Sequence, residues 1–267
     1  MFMPVVRSSR SLWCATLLLV PSMLVAAERR LPTFKKGDYN PEHASVEMFE
    51  GMKSGQLDVK IIMKSSKEAN VFIENKTKAP LNVQLPEAFT AVLAQGGFND
   101  PFGGGGNGNG GQNQAAGGGM GMGMNGGGGG NNFFNVPAER VGEMEVPCVC
   151  LEHGKDEPNP RLAYKIQPFE AYSDDSRLRE TLSLLGQRKI PQRVAQAAAW
   201  HLANNMSWQE LASKEIRRLN GQRYSYFNPQ ELVGAVRVVQ YATAKAQQKP
   251  EPSVEGQSLS DVSTVNE

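Results

Sequence analysis

The sequence predicts an α+β protein: a small β-sandwich (Ig-like) interrupted by a Gly-rich loop insertion, followed by a compact four-helix C-terminal region. Three observations carry this. Between residues 56 and 168, short runs rich in β-branched residues alternate in hydrophobicity and are separated by turn signals. Between 96 and 132 that pattern breaks into a stretch that is mostly Gly, Asn and Gln. From 169 to 249 the apolar residues recur at helical spacing.

Taken in order, residues 1–27 read as a signal peptide. Arg7 and Arg10 precede the apolar run "SLWCATLLLVPSMLVAA", and the small residues Val25 and Ala27 suit cleavage before Glu28. The run is short and interrupted by Pro21, so it does not make a membrane span. The expected localisation is exported, periplasmic or extracellular, with no membrane span after cleavage. Residues 28–55 form an arm and a short helix. Asn40-Pro41 opens that helix, Val46, Phe49 and Met52 share a face, and Gly55 ends it.

The sandwich strands are expected at "LDVKIIM" (57–63), "ANVFIEN" (69–75), "PLNVQLP" (80–86), "FTAVLA" (89–94), "FFNVPAERVGEMEVPCVCLE" (133–152) and "RLAYKIQP" (161–168). The insertion at 96–132 has little to bury and a maximal backbone entropy to lose, so disorder is expected there. Loop-closure cost grows only logarithmically with length, so the sheet tolerates the insertion. In the helical domain, Leu178, Leu182 and Leu185 share one face, and Pro191 opens a second helix through Val194, Ala198 and Leu202. A capping box, Ser207 to Glu210, opens a third helix with Trp208, Ala212, Ile216 and Leu219 as its buried stripe. Asn228, Pro229 and Glu231 open a fourth. The tail at 250–267 is polar and expected to be disordered.

Composition narrows function. The formal net charge is +1, and two arginines leave with the signal, so clustered basic charge for nucleic-acid binding is not expected. Of three cysteines Cys14 lies in the signal, which leaves Cys148 and Cys150 and excludes a disulfide-stapled scaffold. No G-x-S-x-G, H-E-x-x-H or S-x-x-K hydrolase motif occurs.

The chemistry-bearing stretch is "PCVCLEHG" (147–154). Cys148, Cys150 and His153 are three metal-ligating side chains in close succession, and Met120, Met122 and Met124 could add thioethers. Soft sulfur ligands of this kind select Cu(I). The alternative is that both thiols simply pack at a strand end. A disulfide between them would close a small, strained ring.

"CLE" at Cys150 together with "AQAAAW" at 195–200 resembles the two motifs of thioester domains in bacterial surface adhesins. The resemblance implies a thioester bond between Cys150 and Gln196 that captures a nucleophile on a host or matrix surface. Gln196 and Trp200 are an i, i+4 pair and share a helix face. The longer pattern "VCLEHGKDEPNPR" with "AQAAAWHLANNMSW" resembles an uncharacterised family of exported bacterial proteins. That resemblance implies an exported setting and a sandwich-plus-helices layout.

The sequence therefore predicts an exported, non-enzymatic structural or interaction module whose partner is a protein or a cell-surface or matrix component. The alternatives are a copper-binding protein using Cys148, Cys150, His153 and the Met-rich loop, and a thioester-bearing adhesin-like domain using Cys150 and Gln196. Cys148 and Cys150 are left as free, mutually bonded, metal-bound or, for Cys150, joined to Gln196.

Overall fold

A computed structural model describes residues 39–94, 115–120 and 132–248, and the backbone of 33–35. The predicted signal at 1–27, most of the arm before Tyr39, most of the Gly-rich insertion and the tail from 250 lie outside the described residues. The described residues all belong to one compact unit, Leu31–Glu267.

Alternation builds the strands. In β3 (Leu57–Met63) and β4 (Glu68–Asn75) every second residue is buried. Their antiparallel register sets Val59 opposite Ile73, Ile61 opposite Val71 and Met63 opposite Ala69, so apolar partners meet rung by rung. The remaining strands of this sheet are β6 (Phe89–Leu93), β7 (Ala116–Gly118), β9 (Val141–Cys150) and β10 (Tyr164–Pro168). A short β1 (Thr33–Lys35) runs parallel to the start of β9.

The predicted Ig-like sandwich is not what these strands make. Their pairing runs β9-β4-β3-β10-β6-β7 and returns from β7 to β9, every pair antiparallel, which is a closed six-stranded barrel. The strand that closes it, β7, comes from inside the Gly-rich insertion. Strand β9 is long enough to serve two neighbours: Val141–Pro147 pair with β4, and Cys148–Cys150 pair with β7. The barrel interior is filled by side chains such as Val71, Ile73, Phe89, Val146, Cys148 and Ile166.

Sterics explain why a glycine run can be a strand here. A Cβ on Gly118 would lie 2.7 Å from the Pro147 carbonyl oxygen and 2.8 Å from the Phe89 ring. The next residue, Gly119, lies backbone to backbone against Gly186, where a Cβ would come within 2.4 Å of the Gly119 carbonyl carbon. The segment Ala115–Met120 is thus wedged between the barrel core and a helix, and it is buried throughout. Composition counts what a segment itself can bury, and here the neighbours supply the burial.

A second sheet holds β2 (Ala44–Glu47), β5 (Leu81–Gln84) and β8 (Phe133–Val136), with β2 parallel and β8 antiparallel to β5. The helix α1 (Met48–Lys53) starts later than Asn40-Pro41 suggests, because Ala44–Glu47 extend to pair with Leu81–Gln84.

The C-terminal region also departs from the predicted compact four-helix arrangement. It has three long ones: α2 (Ser176–Gly186), α3 (Gln192–Asn204) and α5 (Pro229–Gln248). The capping box of Ser207 and Glu210 forms, but α4 (Trp208–Ser213) stops after six residues. The rest of the predicted third helix turns back on itself as a hairpin of β11 (Glu215–Arg217) and β12 (Arg223–Ser225). Gly221 takes a φ of +82° in the connection, the left-handed conformation that a tight hairpin loop requires. Ile216 and Leu219, predicted to be buried, are exposed.

Candidate functional site

The end of β9 meets α3 at a seam built from the "PCVCLEHG" stretch. On one edge, Cys148–Cys150 pair with β7. On the other edge, β4 has run out. The Cys148 N–H donates to the Lys67 carbonyl at 2.7 Å, and beyond that point no strand among the described residues answers the ladder. A buried strand edge without partners would leave costly unsatisfied groups.

Helix α3 supplies the partners. It opens at Pro191 and ends in a left-handed cap at Asn205, and Ala195, Ala197, Ala198 and Ala199 are all fully buried. These small side chains let the helix approach the strand closely. The Gln196 carbonyl oxygen accepts from the Cys150 N–H at 2.9 Å, and its amide nitrogen donates to the Cys150 carbonyl at 2.8 Å. One turn earlier, the Gln192 amide donates to the Cys148 carbonyl at 3.1 Å. Gln196 thus imitates the missing strand residue, and it is itself only 3 % exposed.

The two thiols are free and buried, and they pack into different clusters. Cys148 lies in the barrel core, whereas Cys150 packs with Leu184, Val194 and Trp200 on the helical side. Burial pushes both thiols up, Cys150 to about 12 with the Glu157 carboxylate adding to the effect. Burial thus favours the neutral thiol at both positions.

His153, later in the same stretch, has partners of its own. Its ring stands edge-on to Trp200 at 4.8 Å, and its Nε2 lies 2.8 Å from the Lys214 ammonium. Burial and the Lys214 charge lower its pKa. The Lys214 ammonium also sits 5.2 Å from the Trp200 ring and 5.3 Å from the Tyr226 ring, and burial lowers its pKa as well. The Trp200 Nε1–H is buried with no hydrogen-bond partner among the described residues. His201 is a packed histidine, stacked on Trp208 at 4.1 Å with its Nδ1 2.7 Å from the Met206 carbonyl oxygen.

Of the sequence-predicted site residues, Cys150 and Gln196 are brought together across the fold. Cys148, Cys150 and His153 are not gathered: among the described residues no group of three or more His, Cys, Asp or Glu side chains is placed to hold a metal. Met120 is buried in the barrel core, and Met122 and Met124 lie outside the described residues. Sequence reading missed Gln192 and Lys214. Gln192 had a readable signal, since it precedes Gln196 by one helical turn on an alanine-rich face.

No family model, no curated protein and no solved structure matches this chain. Among the described residues, no helix is long and apolar enough to cross a membrane.

Proposed function

We propose that the protein is an exported, non-enzymatic interaction module that binds its partner covalently, through a thioester between the Cys150 sulfur and the Gln196 side-chain carbon. The observation that carries this reading is the clasp of the Gln196 carboxamide on the Cys150 backbone at 2.9 and 2.8 Å. The apolar, signal-like start of the chain supports the exported setting, and the resemblance of "CLE" and "AQAAAW" to adhesin thioester motifs supports the bond.

The chemistry balances without an oxidant. The Cys150 thiol adds to the Gln196 carboxamide carbon, a C–S bond forms, and the nitrogen leaves as ammonia carrying the thiol proton. In the clasp the Cys150 N–H donates to the Gln196 oxygen, and such a donor stabilises charge that develops on that oxygen. With Cys150 only 2 % exposed, bulk water is kept from the acyl group. A primary amine of a protein or matrix partner reaches this buried carbonyl only when the contact between β9 and α3 opens, and it then attacks the carbonyl. The C–S bond breaks, sulfur takes the amine proton, and the partner stays attached to Gln196 as a substituted amide. Each molecule reacts once, which makes it a capture device and not a turnover enzyme.

Intact mass tests this. The purified protein is expected to weigh one ammonia less than its sequence. Methylamine is expected to add its own mass and release one alkylatable thiol. Cys150→Ser and Gln196→Ala each abolish the deficit. An unshifted mass with two titratable thiols after unfolding sinks the reading.

A further inference from the structure

The β11–β12 hairpin contains neither Cys150 nor Gln196. Every residue from Glu215 to Ser225 is exposed, and among the described residues β11 and β12 pair only with each other. An isolated two-stranded hairpin is marginal in water, so a projecting one with no buried side chain needs another reason to exist. Its apolar residues are not scattered. Leu219 is fully exposed in the connecting loop, and Ile216 and Tyr224 face each other one rung from the Arg217–Arg223 pair.

The charge pattern is equally directed. Between Lys214 and Tyr226 four basic residues stand against one acidic residue, Glu215, although the whole chain is nearly neutral. Arg217 lies directly opposite Arg223, a like-charge rung that opposes pairing. Glu215 is within 3.1 Å of Arg223 and relieves half of it. Arg217 forms no ion pair with a described residue, and Arg218 lies over the Tyr224 ring at 4.8 Å. The rung is disfavoured in isolation and becomes favourable once anions lie across it.

We propose that this hairpin docks the protein on a lipid bilayer that carries anionic headgroups. Leu219 enters the acyl boundary, Tyr224 lies at headgroup depth, and Arg217, Arg218 and Arg223 contact the phosphates. An acidic protein is the rival partner, and the placement of the leucine decides against it. Leu219 caps a protruding loop, and a protrusion enters a deformable surface without the partner having to supply a matching cavity.

The test is sedimentation of the chain from Glu28 onward with vesicles of pure phosphatidylcholine, and with vesicles holding about one-third phosphatidylglycerol. Binding is expected to the second vesicle and not the first, and to weaken with added salt. Arg217→Gln and Arg218→Gln are each expected to weaken binding about fivefold. Leu219→Ser weakens it by a similar factor, with a salt dependence that is unchanged. All three positions are exposed, so an unchanged thermal melt verifies the fold of each variant. The proposal is overturned if anionic vesicles do not sediment the protein, or if all three variants bind like the parent. Retention on immobilised polyglutamate with no vesicle binding also overturns it.

Discussion

The β9–α3 seam and the β11–β12 hairpin treat strand backbone in opposite ways. At the seam, a strand edge is buried, and two glutamine side chains answer its exposed ladder groups. On the hairpin both outer edges face water, and solvent answers them. The seam therefore depends on single side chains, and the hairpin depends on almost none. Substitutions should be costly at the first and nearly silent in stability at the second.

The largest effect is expected for Gln196→Ala. Relative to the protein whose Gln196 carboxamide is intact, it leaves the buried Cys150 N–H and carbonyl without their partners, at a cost of about 3 kcal/mol. Gln192→Ala removes one bond, to Cys148, and is expected to cost about 1 kcal/mol. Urea unfolding of both variants measures the ratio. Equal losses would show that the clasp on Cys150 has no special weight.

Gly186→Ala comes next and tests the closure of the barrel. The new methyl would meet the Gly119 backbone at about 2.4 Å, and backbone cannot swing aside as a side chain can. Overpacking of this kind costs about 2 kcal/mol. The expected readout is a lower urea midpoint, together with faster amide exchange in β7 than in β3. Protection that stays uniform would mean that β7 is not held by α2.

These two regions also show what was legible in the sequence. The spans of β3, β4 and β10 follow from alternation, because each has one wet or half-wet face and one drier face. Gln196 lies against the Cys150 backbone, a contact that strand alternation and helix periodicity do not specify. Barrel closure was not legible either, since Ala116–Gly118 bury no large side chain of their own and owe their order to Phe89, Leu151 and Leu182. The hairpin was misread for the opposite reason. Trp208, Ala212, Ile216 and Leu219 fit a helical stripe, and periodicity does not say whether anything covers it. Asn220-Gly221, a strong hairpin turn signal, was the residue pair that should have outweighed the spacing.

On the hairpin side, Leu219→Ser is expected to change stability by less than about 0.5 kcal/mol, because the side chain touches no core. A larger loss in urea unfolding would mean that the tip is docked on the protein itself.

The smallest effect joins the two regions, since Lys214 leads into the hairpin while its ammonium reaches His153 at the seam. Burial and the Lys214 charge lower the folded pKa of His153 below its ordinary value of 6.5, and the Glu210 carboxylate opposes them. The unfolded chain then binds the proton more readily than the folded one. Stability is fully present above about pH 6.5 and declines as pH falls from there through the lower folded pKa. The side chain is solvent-exposed, so the change is a modest slope and not a transition. His153→Gln is expected to flatten that slope, and Lys214→Gln to reduce it by removing the neighbouring charge. If Lys214→Gln leaves the slope intact, burial alone sets the histidine, and the lysine is held by Trp200 and Tyr226 without influencing the seam.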